Sequence, residues 1–195
     1  MELKRIREVY AQRASRSARI ESAGDRAMVR ARTDRTRSRL AEAGLVPGEL
    51  MVLDVGCGRG QRLDDWLAWG VRRERLVGID LMAEFVAEAA TREPGLLLAA
   101  AAASALPFPD ATFDLVVQSM VLSSILDPEI RRVSASEMGR VLKPTGTILW
   151  YDMRYPNPLN AEFRPIGRVE LCALFEGWNM CGEPAVSYTH LRAHE

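Results

Sequence analysis

The chain has 195 residues, 48% apolar and 27% charged, the ordinary mix of a soluble protein and enough for one domain with a substantial core plus an appendage. No apolar run approaches the roughly 20 residues of a membrane-crossing helix, and the opening MELKRIREVY lacks the uninterrupted apolar stretch of a secretory leader. Three cysteines cannot all pair with one another, which argues against a disulfide scaffold and for a reducing, cytoplasmic setting.

The formal net charge is zero but unevenly placed: residues 1–40 carry 12 Lys/Arg against 5 Asp/Glu, and the remainder 14 against 21. Such an arm is either a solvated arginine-rich helix face packed on an acidic body or a contact for nucleic acid or another polyanion. Residues 2–14 and 24–43 read as helices, with Ile6, Val9 and Tyr10 at helical spacing in the first. Gly44 and then Pro47-Gly48 stop the second and open a loop.

From residue 50 short apolar runs alternate with amphipathic stretches: MVLDV, a helix over 62–69, RLVGID, a helix over 83–91, then GLLLAAA. A strand over 113–119, a helix over 129–142, a strand over 146–151 and a helix over 167–175 continue the series. Continuous apolar strands alternating with helices mark βαβ units and a parallel sheet buried on both faces, so the expected fold is α/β, doubly wound and mainly parallel, with five strands through Tyr151. The alanine run over 99–103 is expected to end a strand and enter a loop. The final stretch SYTHLRAHE (residues 187–195) reads as translated sequencing-library adapter and is set aside from fold reasoning; it holds both histidines, His190 and His194. The expected organisation is a basic helical appendage or lid over 1–46, a nucleoside-binding domain over 47–186 and a non-native tail over 187–195.

The strongest chemical signal is MVLDVGCGRGQRL. Asp54 ends an apolar strand, and Gly56, Gly58 and Gly60 follow at alternate positions before a helix, where the missing Cβ lets the backbone turn sharply and approach a ligand closely. Twenty residues beyond Gly60, Asp80 closes the next strand, the place from which an acid accepts hydrogen bonds from both hydroxyls of a ribose. Nicotinamide enzymes share that plan, but their fingerprint is G-x-G-x-x-G. Here the third glycine arrives one residue early, at Gly60, and Gln61 stands where it belongs. Asp54, two residues before the first glycine, would repel a pyrophosphate and welcome an ammonium group.

With these residues the chain resembles the small-molecule branch of the class I S-adenosylmethionine-dependent methyltransferases. DVGCGRG is similar to that family's first motif, ALPFPDATFDLVV (105–117) to its middle block, and EMGRVLKPTG (137–146) to its turn into the fifth strand. The resemblance covers roughly residues 50–155 and is specific for the cofactor class, not for the acceptor. It implies that Asp54 and the backbone of Gly56, Cys57, Gly58 and Gly60 hold the methionine end of S-adenosylmethionine, that Asp80 holds the ribose, and that Leu81 lies against the adenine. Gln118, at the end of the fourth strand, joins the cofactor-binding set. Where the family places an Asp for the adenine amino group, this chain has Ala102, leaving backbone contacts from Ala102 and Ala103. That departure keeps a rival open, a S-adenosylmethionine-binding module without turnover. The family closes its sheet with an antiparallel hairpin, and residues 176–186 are too few to supply it, so an incomplete hairpin and an exposed sheet edge are expected.

Methyl transfer from a sulfonium requires chiefly alignment and exclusion of water, and a base only when the acceptor is protonated. Ligands of open α/β sheets bind beyond the carboxyl ends of the strands, and WYDMRYPNP (150–158) follows the fifth strand there. Asp152 is the candidate general base, with Tyr155 beside it and Arg154 as an anchor for an anionic acceptor; the alternative is an Asp152–Arg154 salt bridge that only fixes the loop. Tyr10 is either a core aromatic or, as the family resemblance implies, part of a lid over the cofactor. Cys57 reads as a packing residue, Trp66 and Trp69 read as core, and Cys172 and Cys181 have no metal spacing. No metal is expected, and the acceptor is expected to be a small molecule methylated on O, N or C.

Overall fold

The computed structural model describes residues 1–16, 23–153, 160–181 and 188–193. Two helices, α1 (Glu2–Arg16) and α2 (Ala23–Glu42), precede the sheet. Then follow β1 (Val52–Val55), α3 (Leu63–Ala68), β2 (Leu76–Asp80), α4 (Ala83–Arg92), β3 (Leu97–Ala100), β4 (Phe113–Ser119), α5 (Pro128–Val141), β5 (Leu142–Tyr151), α6 (Arg168–Leu174), β6 (Trp178–Cys181) and β7 (Tyr188–Ala193). The sheet runs in the order β3-β2-β1-β4-β5-β7-β6. Strands β1 to β5 pair in parallel, as continuous apolar runs require, and the fold is the expected doubly wound, Rossmann-like one.

Successive residues of each strand feed two different cores. Phe113 and Val116 of β4 join one that also holds Val55, Ile79, Met138 of α5 and Ile6 of α1. Leu115 and Val117 join a second with Val52, Leu76, Trp66 of α3 and Leu40 of α2. Helix α5 begins as its sequence dictates: Asp127 accepts hydrogen bonds from the N–H groups of Glu129 and Ile130, and Pro128 occupies the first helical position, where its missing N–H costs nothing.

The closing hairpin corrects an expectation. Beyond β5 the sheet is completed by an antiparallel pair, β6 against β7, with β7 also antiparallel to β5 (Tyr151 opposite Tyr188). Strand β7 comes from the stretch set aside as a tail. An unpaired β5 edge would present a row of open N–H and C=O groups, and YTHLRA carries the aromatic and β-branched residues that suit a strand. The edge expected at β5 is therefore covered.

The strand order reverses between β1 and β4. The chain first winds outward through β2 and β3, then returns to continue on the other side through β4 and β5. The diverging loops open a crevice beyond the carboxyl ends of these strands.

Candidate functional site

A cavity of about 250 Å³ occupies that crevice. Its floor is the turn after β1 and the end of β2, with Gly56, Gly58, Asp80 and Leu81. One side is the loop after β3, with Ala101, Ala102 and Ala103, and the other is the turn after β4, with Ser119, Met120, Val121 and Ser124. Its roof is α1, which contributes Leu3, Ile6 and Tyr10.

The turn after β1 needs its glycines. Gly56, Gly58 and Gly60 have φ of +72°, +57° and +83°, a region L-residues avoid. A Cβ on Gly58 would meet nothing within 4 Å, whereas one on Gly60 would come 3.1 Å from Cβ of Ala89. Gly58 thus presents bare backbone beside the cavity, and Gly60 lets α4 pack against the turn. The turn is tied to β2 by the N–H groups of Gly56 and Cys57, which donate to the carbonyl of Ile79 at 2.8 and 2.9 Å.

Asp80 is oriented by two backbone donors. Gly58 N–H donates to Oδ2 and Met82 N–H to Oδ1, both at 2.9 Å. Burial pushes its carboxyl above the ordinary range, and those two bonds oppose the shift.

Asp54 lies behind the turn, not on the cavity wall. Its side chain is wholly buried, Arg62 donates to Oδ1 at 2.8 Å, and Oδ2 has no hydrogen-bond partner. Burial raises this carboxyl and Arg62 lowers it, burial being the larger effect. Cys57 packs beneath the floor; its thiol is pushed well above the ordinary range by burial, as befits a packing residue. Trp66 is buried and packs edge to face on Trp69, with ring centroids 5.0 Å apart.

Gln118 and Asp152 stand behind the wall as well. Oε1 of Gln118 accepts from Val121 N–H at 3.1 Å and from Leu122 N–H at 3.4 Å. Oδ2 of Asp152 accepts from Ser123 N–H at 3.1 Å and Oδ1 from Met153 N–H at 3.0 Å. Asp152 is 2% exposed. These two side chains cap the turn over 120–124 by accepting from the N–H groups of Val121, Leu122 and Ser123, while Met120 and Ser124 donate to backbone carbonyls. Tyr155 and Arg154, named with Asp152 from the sequence, lie outside the described residues.

Burial pushes the Asp152 carboxyl up to about 6. A carboxyl raised in the folded state favours folding below its unfolded pKa of about 3.9, and that contribution is lost as pH rises through about 6. Between pH 4 and pH 7 the native protein should therefore lose up to about 3 kcal/mol through this group. Asp152→Asn should not lose it, and urea titrations of both proteins across that range check the difference.

Gln118, Ser119 and Met120 at the end of the fourth strand were legible as a strand end facing the site; the conformation of the turn they open was not. Met120 has φ +63°, a strained value for a residue with a side chain, held by its N–H donating to the Tyr151 carbonyl at 2.8 Å and its carbonyl accepting from Ser124. Methionine gives no signal for that conformation. The apolar spacing of α1 gives the helix, the family resemblance gives the lid, and the structure puts Leu3, Ile6 and Tyr10 of α1 on the cavity. The helix is fastened by Leu126 N–H donating to Glu2 at 2.7 Å, by Arg5 donating to the Ser124 carbonyl at 2.6 Å, and by the Arg13–Glu162 ion pair.

The family model for the methyltransferase domain matches residues 53–150, the segment that carries β1 through β5. The chain belongs to this methyltransferase-domain family. A demethylmenaquinone methyltransferase of Renibacterium salmoninarum is 32% identical over 125 residues, 64% of this chain and 50% of that protein. A fatty-acid O-methyltransferase of Mycolicibacterium smegmatis is 38% identical over 105 residues, 53% of this chain and 37% of that protein. The chain spans about half the length of the first of these relatives. The structure of a Burkholderia thailandensis 1,6-didemethyltoxoflavin-N1-methyltransferase matches 98% of this chain and 88% of its own, with a TM-score of 0.72 at 19% identity. A S-adenosylmethionine-dependent methyltransferase of Aquifex aeolicus matches 80% and 86%, with a TM-score of 0.62 at 20% identity. At these identities the likeness is one of fold.

Of the three motif blocks of this methyltransferase domain, only the first touches the cavity floor. The other two brace each other. Arg140 donates to the carbonyls of Leu106 and Phe108 and pairs with Asp110, while Glu137 accepts from Leu106 N–H. Asp114 accepts from Met51 N–H and pairs with Lys143 at 2.8 Å.

Proposed function

We propose that this chain is a S-adenosylmethionine-dependent methyltransferase that moves a methyl group to an O, N or C atom of a small-molecule acceptor. The observation that carries the reading is the juxtaposition of the bare glycine turn and the doubly anchored Asp80 at one end of a roofed, largely apolar cavity. These residues fit the cofactor. Asp80 takes the ribose hydroxyls, and the turn at Gly56, Cys57, Gly58 and Gly60 gives room and backbone donors to the methionine end. Asp54, paired with Arg62, braces that turn from behind. Leu81 and the backbone of Ala102 and Ala103 meet the adenine, while Gln118 shapes the opposite wall through the turn it caps.

When bound, the cofactor supplies an electrophilic methyl on a sulfonium. The protein's part is to hold the acceptor in line with it and keep water out. The N-terminal segment 1–46 acts as cover for the domain over 47–186. Among its described arginines, Arg5, Arg13 and Arg39 pair with Glu2, Glu162 and Glu42, which favours a packed helix face over a nucleic-acid contact. No helix among the described residues is long and apolar enough to cross a membrane.

Ala102 in place of an adenine-binding acid favours a second reading, a binder without turnover. Incubation with S-adenosylmethionine and a panel of hydroxylated, amino and carbon acceptors should release S-adenosylhomocysteine. Calorimetric binding of S-adenosylhomocysteine with no product from any acceptor would favour the binder, and absence of binding would remove both readings.

A further inference from the structure

The hydroxyl pair at the top of the cavity has a direction that follows from counting hydrogens. Ser124 Oγ lies 2.5 Å from the Met120 carbonyl oxygen and 2.9 Å from Tyr10 Oη. A carbonyl only accepts, so the single serine hydrogen goes to Met120. Ser124 must then accept from Tyr10, which uses the phenol's only hydrogen. What remains on Tyr10 Oη is lone pairs. Any polar group that meets this oxygen must bring its own hydrogen, because a second acceptor would face uncompensated lone-pair repulsion in a buried site.

The wall around the pair adds a charge condition. Leu3, Ile6, Val121 and Ile125 are apolar, and Ser119 and Ser124 are neutral. Among the described residues that line the cavity, Asp80 is the only charged one, and it is an anion. Arg13 lies 5.5 Å over the Tyr10 ring and Arg5 donates to the Ser124 carbonyl, but each is paired, with Glu162 and Glu2, and neither lines the cavity, so an anionic acceptor finds no unpaired counter-charge there and would lose its hydration without compensation. Burial pushes the Tyr10 phenol upward, so it keeps its proton and the direction of the relay is stable across the neutral range.

We propose that Tyr10 selects the acceptor: an uncharged molecule with an apolar body and an O–H or N–H group that donates to Tyr10 Oη. The inference rests on the methyltransferase reading of the same cavity. Donation to Tyr10 turns the nucleophile's hydrogen away from the reaction line and leaves a lone pair for the methyl group. In the transfer the acceptor O or N would form its bond to the methyl carbon as the methyl–sulfonium bond breaks, S-adenosylhomocysteine leaving with that electron pair, and the acceptor's O–H or N–H proton would pass to solvent water; Tyr10 is a positioning group here and takes no proton.

The probes are 1-naphthol, which donates, 1-methoxynaphthalene, which only accepts, and 1-hydroxy-2-naphthoate, which is an anion. Their affinities are measured by calorimetry on the full chain saturated with S-adenosylhomocysteine, whose own binding is measured first. Failure of that first titration sinks the methyltransferase reading and is distinct from failure of the selection. The native protein should bind 1-naphthol about tenfold more tightly than either comparison compound, the size of one well-placed hydrogen bond and its loss. Tyr10→Phe keeps the ring that packs edge to face on Phe85; it should lose the naphthol over methoxynaphthalene preference while holding S-adenosylhomocysteine affinity within twofold. Ser124→Ala frees the Tyr10 hydrogen to donate, so 1-methoxynaphthalene should bind better than it does to the native protein. Three results overturn the proposal: an equal or inverted preference in the native protein, tighter binding of the naphthoate, or a Tyr10→Phe variant that keeps the preference and weakens S-adenosylhomocysteine about tenfold, which would assign the phenol to the cofactor.

Discussion

Replacing Asp80 with Ala should weaken S-adenosylhomocysteine binding by on the order of 100-fold, the loss of two charge-assisted hydrogen bonds that together contribute about 3 kcal/mol. The size follows from how the carboxylate is held. Each oxygen already accepts one backbone N–H, from Gly58 and from Met82, so the group cannot rotate away and its remaining lone pairs stand ready for a pair of hydroxyls without further ordering cost. Asp80→Asn keeps the shape but sets an amide N–H against one of those backbone donors and removes the charge, so its loss should be intermediate, about tenfold. Calorimetry with S-adenosylhomocysteine at matched helix content by circular dichroism measures both. An Asp80→Ala protein that binds within threefold of the native one would show that this acid does not hold the ribose. The backbone anchors also serve the turn, so the Ala variant should melt a few degrees lower; binding is therefore read well below that transition.

Much of the frame was legible in the sequence because its signals are local. MVLDV, RLVGID and FDLVVQS are apolar without interruption, and the strands they form are buried on both faces. The glycines at 56, 58 and 60 were legible because positive φ leaves almost no other choice of residue. Asp80 could be placed because a strand end fixes where its side chain emerges. Asp152 was harder. Its position after β5 is right for a base, but whether its oxygens face the cavity or the amides of Ser123 and Met153 depends on how the turn over 120–124 folds back, a long-range matter with no local code. The same holds for Met120, whose strained backbone is fixed by Tyr151 and Ser124, and for α1, whose apolar spacing predicts a helix but not which opening it covers. The two later motif blocks carry a different kind of signal: they identify the family, and in the structure Arg140, Glu137 and Asp114 brace loops.

The pair behind the glycine turn should be the costliest to break. Arg62 donates to an Asp54 that is wholly buried, and removing one partner of such a pair leaves an uncompensated charge, typically a loss of about 3–5 kcal/mol. Arg62→Met should therefore destabilise the protein by that amount at pH 8. The loss should shrink on acidification. Burial already raises the Asp54 carboxyl, Arg62 is the larger influence that lowers it and Arg32 the smaller, and without Arg62 it rises further. An acid raised in the folded state favours folding at low pH and ceases to as pH climbs through its folded pKa, so the variant recovers stability as pH falls toward about 4, the unfolded value. The double variant Asp54→Asn with Arg62→Met has no charge to bury and should regain most of the loss at pH 8 with little pH dependence. Urea denaturation of the three proteins at pH 8 and pH 5 separates the cases. A loss below about 1 kcal/mol for Arg62→Met at pH 8 would mean that water reaches Asp54 and that the turn stands on its own glycines; the larger value means that the floor of the cavity is held from behind by one ion pair, through which distant packing in α3 reaches the cofactor end of the site.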